Sequence, residues 1–153
     1  AGLALRRLDF TPSPGLPCES VDRDALAAGE FRHSRITEGP DGPTFNMRST
    51  CLSGDCGTIA CIGGWMAITM LGLAREKPVS YENQTQVFDF VTDYGDGELL
   101  PSSPSLKVLF YPPGAREDEE WWDFITPAYA VEAIDNFLRD GDPRWGAIRR
   151  RIT

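Results

Sequence analysis

SGDCGTIACIGGWMAITMLG, residues 53–72, decides the fold. Its composition predicts a helix over 56–73, beginning near Asp55 and capped by Asp55 or Ser53. On a helical projection Ile59, Ile62, Met66 and Leu73 share one stripe, while Trp65, Ile68 and Leu71 lie on others. A helix apolar on nearly every side is a buried one. Gly63 and Gly64 fall in its interior, where each costs about 1 kcal/mol relative to alanine. That cost is offset when something packs into the groove they leave. Cys56, Ala60, Gly63 or Gly64, and Ala67 recur at helical spacing, forming a seam of small side chains. The seam would let another backbone, or a large ring such as a tryptophan, approach closely. Cys56, Ala60, Gly63, Gly64, Trp65 and Ala67 are therefore expected to be structural.

Working outward, the other end of the chain carries the clearest helical signals. In TPAYAVEAIDNFLRDG, Thr126 is a natural N-cap and Pro127 suits the first helical position. Ala130, Ile134, Phe137 and Leu138 make an apolar face, Asp135 and Arg139 are spaced as an ion pair, and Gly141 suits the residue after the helix. DPRWGAIRRRIT follows with four arginines and Trp145. Upstream, SVDRDALAAGE reads as a short helix with Ser20 as N-cap, Asp22 and Asp24 in its first turn and Gly29 as its stop. TPSPGLPC, residues 11–18, reads as an extended arm and TEGPDGPTF as a loop. Residues 79–100 fit either a helix, through Val87, Phe90, Val91 and Tyr94, or a strand, with DYGDGE as a turn in both cases. SSPSLKVLFYPP is a short helix or strand closed by two prolines.

The chain has 153 residues, a length suited to one domain, and 41% hydrophobic residues, enough for a core. Its net charge of −8 opposes generic binding to a phosphate backbone. A basic partner protein, or one that itself binds nucleic acid, fits better. No run is long and apolar enough for a membrane span, and no secretory signal pattern is present. Free thiols and a cytoplasmic location are expected, with a Cys18–Cys51 disulfide as the alternative in an exported protein.

Three chemistries deserve weighing. At a helix start, Cys56 would meet free N–H groups that stabilise a thiolate and could form an oxyanion hole. DCGTIAC resembles the stretch around the nucleophile of deubiquitinase-like and SUMO-protease-like cysteine peptidases. Those enzymes carry their histidine and acid well upstream on a sheet, whereas the single histidine here, His33, lies 23 residues before Cys56. A Cys56–His33 dyad is the catalytic alternative. A metal site would need Cys18, Cys51, Cys56 and Cys61, which lack the paired spacing of zinc knuckles, and on one helix Cys56 and Cys61 would point about 140° apart. No metal and no cofactor are expected. EDEEWWDF suggests an interaction face: Asp118, Glu119 and Glu120 would attract a basic partner, and whichever of Trp121 and Trp122 is exposed would anchor it.

FNM at 45–47, CGTIACIGGW at 56–65, LFYPP at 109–113 and ITPAYAVEAIDNFLRDGDPRW at 125–145 occur in that order. This sequence of motifs resembles a group of small bacterial and phage proteins with a Cys-Gly-Thr-x-x-Cys-Ile-x-Gly-Trp helix and a closing Thr-Pro-Ala helix. The resemblance implies a cytoplasmic protein of bacterial or phage origin and supplies no catalytic residue. Residues 79–100 look like an insertion against that pattern.

The expectation is a mainly α-helical domain over 20–153, preceded by an arm over 1–19. Four to six helices surround the helix 56–73, with room for a small β-hairpin. The expected function is that of a non-enzymatic binding or regulatory protein, such as an inhibitor of a host enzyme, with a Cys56-dependent hydrolase as the alternative.

Overall fold

The first part of the expected central helix is a strand. In the computed structural model, which describes residues 18–95, 106–113 and 119–152, the chain crosses residues 53–70 as strand, turn, strand, cap and helix. β-Branched Thr58 and Ile59 favour extended backbone. Gly57 has φ +147°, and a Cβ there would lie 2.3 Å from the carbonyl oxygen of Gly42. Only glycine lets the two backbones approach so closely. The result is a hairpin of Leu52–Gly54 and Gly57–Ala60, with Asp55 and Cys56 in the turn. Cys61 then takes extended torsions, and its Sγ accepts the Gly64 N–H at 3.4 Å. The helix runs only from Ile62 to Met70, so neither Asp55 nor Ser53 is its cap.

With β1 Arg32–His33, β2 Gly42–Phe45, β3 Leu52–Gly54 and β4 Gly57–Ala60, the sheet order is β1-β2-β4-β3. β1 and β4 run parallel to β2, and β3 is antiparallel to β4. The protein is therefore a small mixed α/β domain: helices predominate, as expected, but the expected small hairpin is part of a four-stranded mixed sheet. The end of TEGPDGPTF, expected as loop, is β2. All four residues of β4 are buried, as befits a strand flanked on both sides.

Six α-helices are described: α1 Cys18–Ala27, α2 Ile62–Met70, α3 Tyr81–Gly95, α4 Lys107–Phe110, α5 Pro127–Asp140 and α6 Trp145–Ile152. α1 is stopped by Gly29 at φ +77°. Residues 81–95 resolve as helix because Val87, Phe90 and Val91 bury one face while Phe88 turns outward. α5 has the expected ends, with Thr126 Oγ1 accepting the Tyr129 N–H and Gly141 in the left-handed region. Two details of α5 differ from expectation. Leu138 is exposed, and Asp135 pairs with Arg23 of α1 at 2.8 and 3.1 Å rather than with Arg139. Residues 1–17 of the expected arm, the tip of DYGDGE and Asp118 lie outside the described residues, as do the side chains of Cys18, Ser20, Asp22 and Glu119; positions 18 and 19, expected in the arm, already belong to α1, which places Ser20 within the helix rather than at its cap. Cys51 is a free thiol in this structure.

α2 is the hub, in contact with α1, α3, α4 and β4. Its glycines face two different neighbours. A Cβ on Gly64 would lie 1.9 Å from the Thr50 carbonyl oxygen and 2.8 Å from Ala60 Cβ. A Cβ on Gly63 would meet the Phe110 ring at 3.1 Å and Val91 at 3.2 Å. Small residues thus admit a backbone on one side and a ring on the other. Trp65, 1% exposed, packs on Phe31 with ring centroids 4.6 Å apart and donates its indole N–H to the Thr44 carbonyl at 3.0 Å.

Candidate functional site

The parallel strands end in a polar cluster that ties the sheet to a distant segment. His33 ends β1 and Asn46 follows β2 directly. Asn46 is fully buried, so each of its polar atoms needs a partner. Its Nδ2 donates to the Ser34 carbonyl and to Asp123 Oδ1, both at 2.8 Å, and its Oδ1 accepts the Arg48 N–H at 2.7 Å. Arg48 Nη1 donates to Asp123 Oδ2 at 2.8 Å. His33 Nε2 lies 2.8 Å from the Asp123 carbonyl oxygen. Because that oxygen can only accept, Nε2 carries the proton. Both carboxylate oxygens of Asp123 are committed, so the cluster acts as a structural clasp and not as a free general base.

The clasp holds a 3-10 helix, Glu119–Phe124. Trp121 and Trp122 are both buried, 4% and 6% exposed, so neither is the surface anchor expected of them. Their indole nitrogens both face the Pro113 carbonyl oxygen, at 3.3 and 3.5 Å. Trp121 also meets Trp145 edge-on at 6.3 Å and lies under Arg149. A helix of 3-10 pitch at the segment's end, with the clasp pulling Asp123 inward, leaves Phe124 as the aromatic that faces solvent, 44% exposed. The Arg35 guanidinium sits 4.7 Å from its ring centroid. Glu120 is exposed beside the same segment.

The catalytic alternative loses its geometry. Cys56 is exposed in the β3–β4 turn, not buried in a seam and not at a helix N-terminus. His33 is level with Phe45 and Ala60, whereas Cys56 precedes Gly57 at the opposite end of β4. Strand geometry separates their backbones by about 13 Å along the strands and about 10 Å across them. Cys61 caps α2. Buried Cys51 has its thiol pushed up to about 11, first by burial and then by the neighbouring Cys61, the reverse of what a nucleophile needs.

Asn46, Arg48, Asp123, Phe124 and Arg35 were not singled out from sequence. A signal did exist for two of them: Asn46 stands between Phe45 and Met47, and Asp123 between Trp122 and Phe124. A lone polar residue inside an apolar run is forced to find a partner when the run is buried. Among the described residues no three side chains are grouped to hold a metal ion, and no helix is long and apolar enough to cross a membrane. The chain matches no family model, and no curated protein or solved structure shows significant similarity to it.

Proposed function

We propose that the protein is a non-enzymatic binding or regulatory module that engages a protein partner through the face carrying Phe124 and Glu120. The observation that carries this reading is the pedestal under Phe124. Trp121, Trp122 and Asp123 are buried and hydrogen-bonded in succession, and the next side chain is an exposed aromatic. An aromatic held rigid before binding loses little conformational freedom on binding, which is how a few residues come to dominate an interface. Exposed Glu120 would draw a basic partner and raise the rate of encounter. An inhibitor of a nucleic-acid-binding enzyme presents this kind of acidic face.

The test is affinity capture from bacterial lysate with the wild-type protein and with Phe124→Ala, followed by kinetics against the captured protein at two salt concentrations. Phe124→Ala is expected to speed dissociation without changing the melting temperature. Glu119→Gln combined with Glu120→Gln is expected to slow association at low salt. Equal capture and equal kinetics by wild type and all variants would overturn the reading.

A further inference from the structure

The outer face of α3 carries two parallel stripes of different character. At about 100° per residue, Tyr81, Thr85, Phe88 and Thr92 fall on one line along the helix, and Glu82, Gln86, Asp89 and Asp93 on the line beside it. The opposite side, with Val87, Phe90 and Val91, is buried in the core. Tyr81 is 84% exposed and Phe88 45%, so two rings stand in solvent about two turns apart on one line. The threonines of that line turn their hydroxyls onto the helix itself. Thr85 Oγ1 donates to the Tyr81 carbonyl at 3.4 Å, and Thr92 Oγ1 to the Phe88 carbonyl at 3.0 Å. Their methyl groups are left to extend the apolar line.

The acidic line is not something the helix needs. α3 holds Glu82, Asp89 and Asp93 and no basic residue. Asp89 and Asp93 are four residues apart, where like charges repel, and Asp93 lies in the last turn, where the helix dipole disfavours a negative charge. Among the described residues none of the three carboxylates has an ion-pair partner. Residues 96–105 add two acids and no base. The face is also held in place before anything binds. The Val79 N–H donates to Ser53 Oγ at 3.1 Å and to Thr58 Oγ1 at 3.0 Å, fastening the approach to α3 onto the sheet. Ser80 Oγ then caps the helix by accepting the Asn83 N–H at 3.2 Å. A surface fixed in advance loses little freedom when it is covered.

We propose that this face docks a basic amphipathic helix of a partner protein, with its apolar residues against Tyr81 and Phe88 and its lysines or arginines along Glu82, Asp89 and Asp93. Acids alone would mark a solvated surface, and rings alone a patch open to any apolar neighbour. Side by side, they select a partner that carries apolar and cationic residues in matching lines. Nucleic acid and anionic lipid are repelled by the same carboxylates, and the α3 of a second copy brings no base to meet them. A helix fits better than an extended strand. The interior backbone of α3 is already hydrogen-bonded and offers no ladder edge, whereas a ridge of side chains packs into the groove of another helix. A different segment of the chain carries Phe124, so either proposal can fail without the other.

Fluorescence anisotropy tests it with a dye-labelled helical peptide that has leucines on one face and lysines beside them. The control peptide has the same residues in an order that scatters the leucines around the helix. The amphipathic peptide is expected to bind at least about tenfold more tightly than the scattered one. Tyr81→Ala and Phe88→Ala should each weaken it about tenfold. Tyr81 is almost wholly exposed, so its variant reads the contact without disturbing the core. Asp89→Asn combined with Asp93→Asn should weaken binding at low salt, and the loss should fade at high salt. Phe124→Ala should leave binding unchanged. Amide NMR during the titration should show the largest shifts at Thr85, Phe88 and Asp89. Equal binding of both peptides would reduce the face to a general attraction for cations and overturn the proposal. No binding of either peptide, or no effect of Tyr81→Ala, would overturn it as well. So would self-association in sedimentation that Tyr81→Ala abolishes, since a second copy would then be the occupant.

Discussion

The two ends of α2's surroundings are closed by different means. At its N-terminus, around Thr50, Ala60 and Gly64, the chain is sealed by size: backbone meets backbone and there is no space for one more carbon. At the clasp, around Asn46, Arg48 and Asp123, it is sealed by polar bonding that spans more than 70 residues of sequence. Steric closure tolerates no added atom and is indifferent to charge. Polar closure tolerates small changes of shape and fails when one partner is removed. The difference explains why a glycine pair is needed in the one place and a buried carboxylate in the other.

The sharpest way to break that contrast is Gly64→Ala. A Cβ 1.9 Å from a backbone oxygen forces α2 away from Thr50, and the helix-propensity gain of about 1 kcal/mol cannot compensate. The variant is expected to be unfolded, or destabilised by about 3 kcal/mol or more, in urea denaturation. A midpoint equal to wild type would show that the steric seal is not one.

Next comes Asp123→Ala, which strands Asn46 and Arg48 in a partly buried site. A loss of about 2–3 kcal/mol is expected, below the figure for a fully buried pair because Arg48 remains about a quarter exposed. Calorimetry of Asp123→Ala with Asn46→Ala and the double variant measures the coupling. Additive losses would mean that the clasp is not a unit.

The pH dependence of the sealed region separates the two ends further. Cys51 holds its proton to about 11 in the folded chain against 9.0 for an ordinary thiol. As pH rises, the unfolded chain ionises first, so the folded chain binds more protons in that window. The stability this thiol contributes is present below the ordinary value and is lost as pH climbs from about 9 towards about 11. Wild type minus Cys51→Ala, followed by urea midpoints across that window, should show this slope. A flat difference would show that the thiol is solvated.

Gly63→Ala gives the smallest effect. Its new methyl would press on the Phe110 ring and Val91, which can yield by tenths of an ångström, unlike the Thr50 backbone. Crowding and helix propensity oppose each other, so a change within about 1 kcal/mol is expected. Adjacent glycines in one helix would thus differ by several-fold in sensitivity. Equal sensitivity would erase the distinction between ring and backbone neighbours.

The sequence was legible where a local rule had a local cause. Thr126, Pro127 and Gly141 mark α5 because caps act within a turn of chain. The glycine pair was rightly taken as a place of close approach, although the helix around it is shorter than its apolar composition suggested. That composition is ambiguous by nature: a central strand and a buried helix are both apolar throughout, and period cannot separate them. What decides in favour of a strand over 57–60 is Gly42, a residue 15 positions away that supplies the partner backbone. Cys56 changed from buried to exposed with that one decision. The two tryptophans escaped prediction for a similar reason. Helical geometry would have sent them in different directions, whereas the 3-10 segment turns both indoles towards Pro113. The clasp has partners 75 to 90 residues apart, a distance over which no pattern in one chain reports.

The sheet's two borders have a consequence for how copies of this chain meet. One border strand, β1, is two residues long and the other, β3, is three. A neighbouring chain that tried to add a strand would find a few backbone groups before the border ended. Lengthy unpaired borders are what seed sheet-to-sheet growth into fibrils, and short ones are a common safeguard against it. Among the described residues the ladder therefore has short borders at both sides, and concentrated solutions of the folded protein should resist conversion to cross-β aggregates.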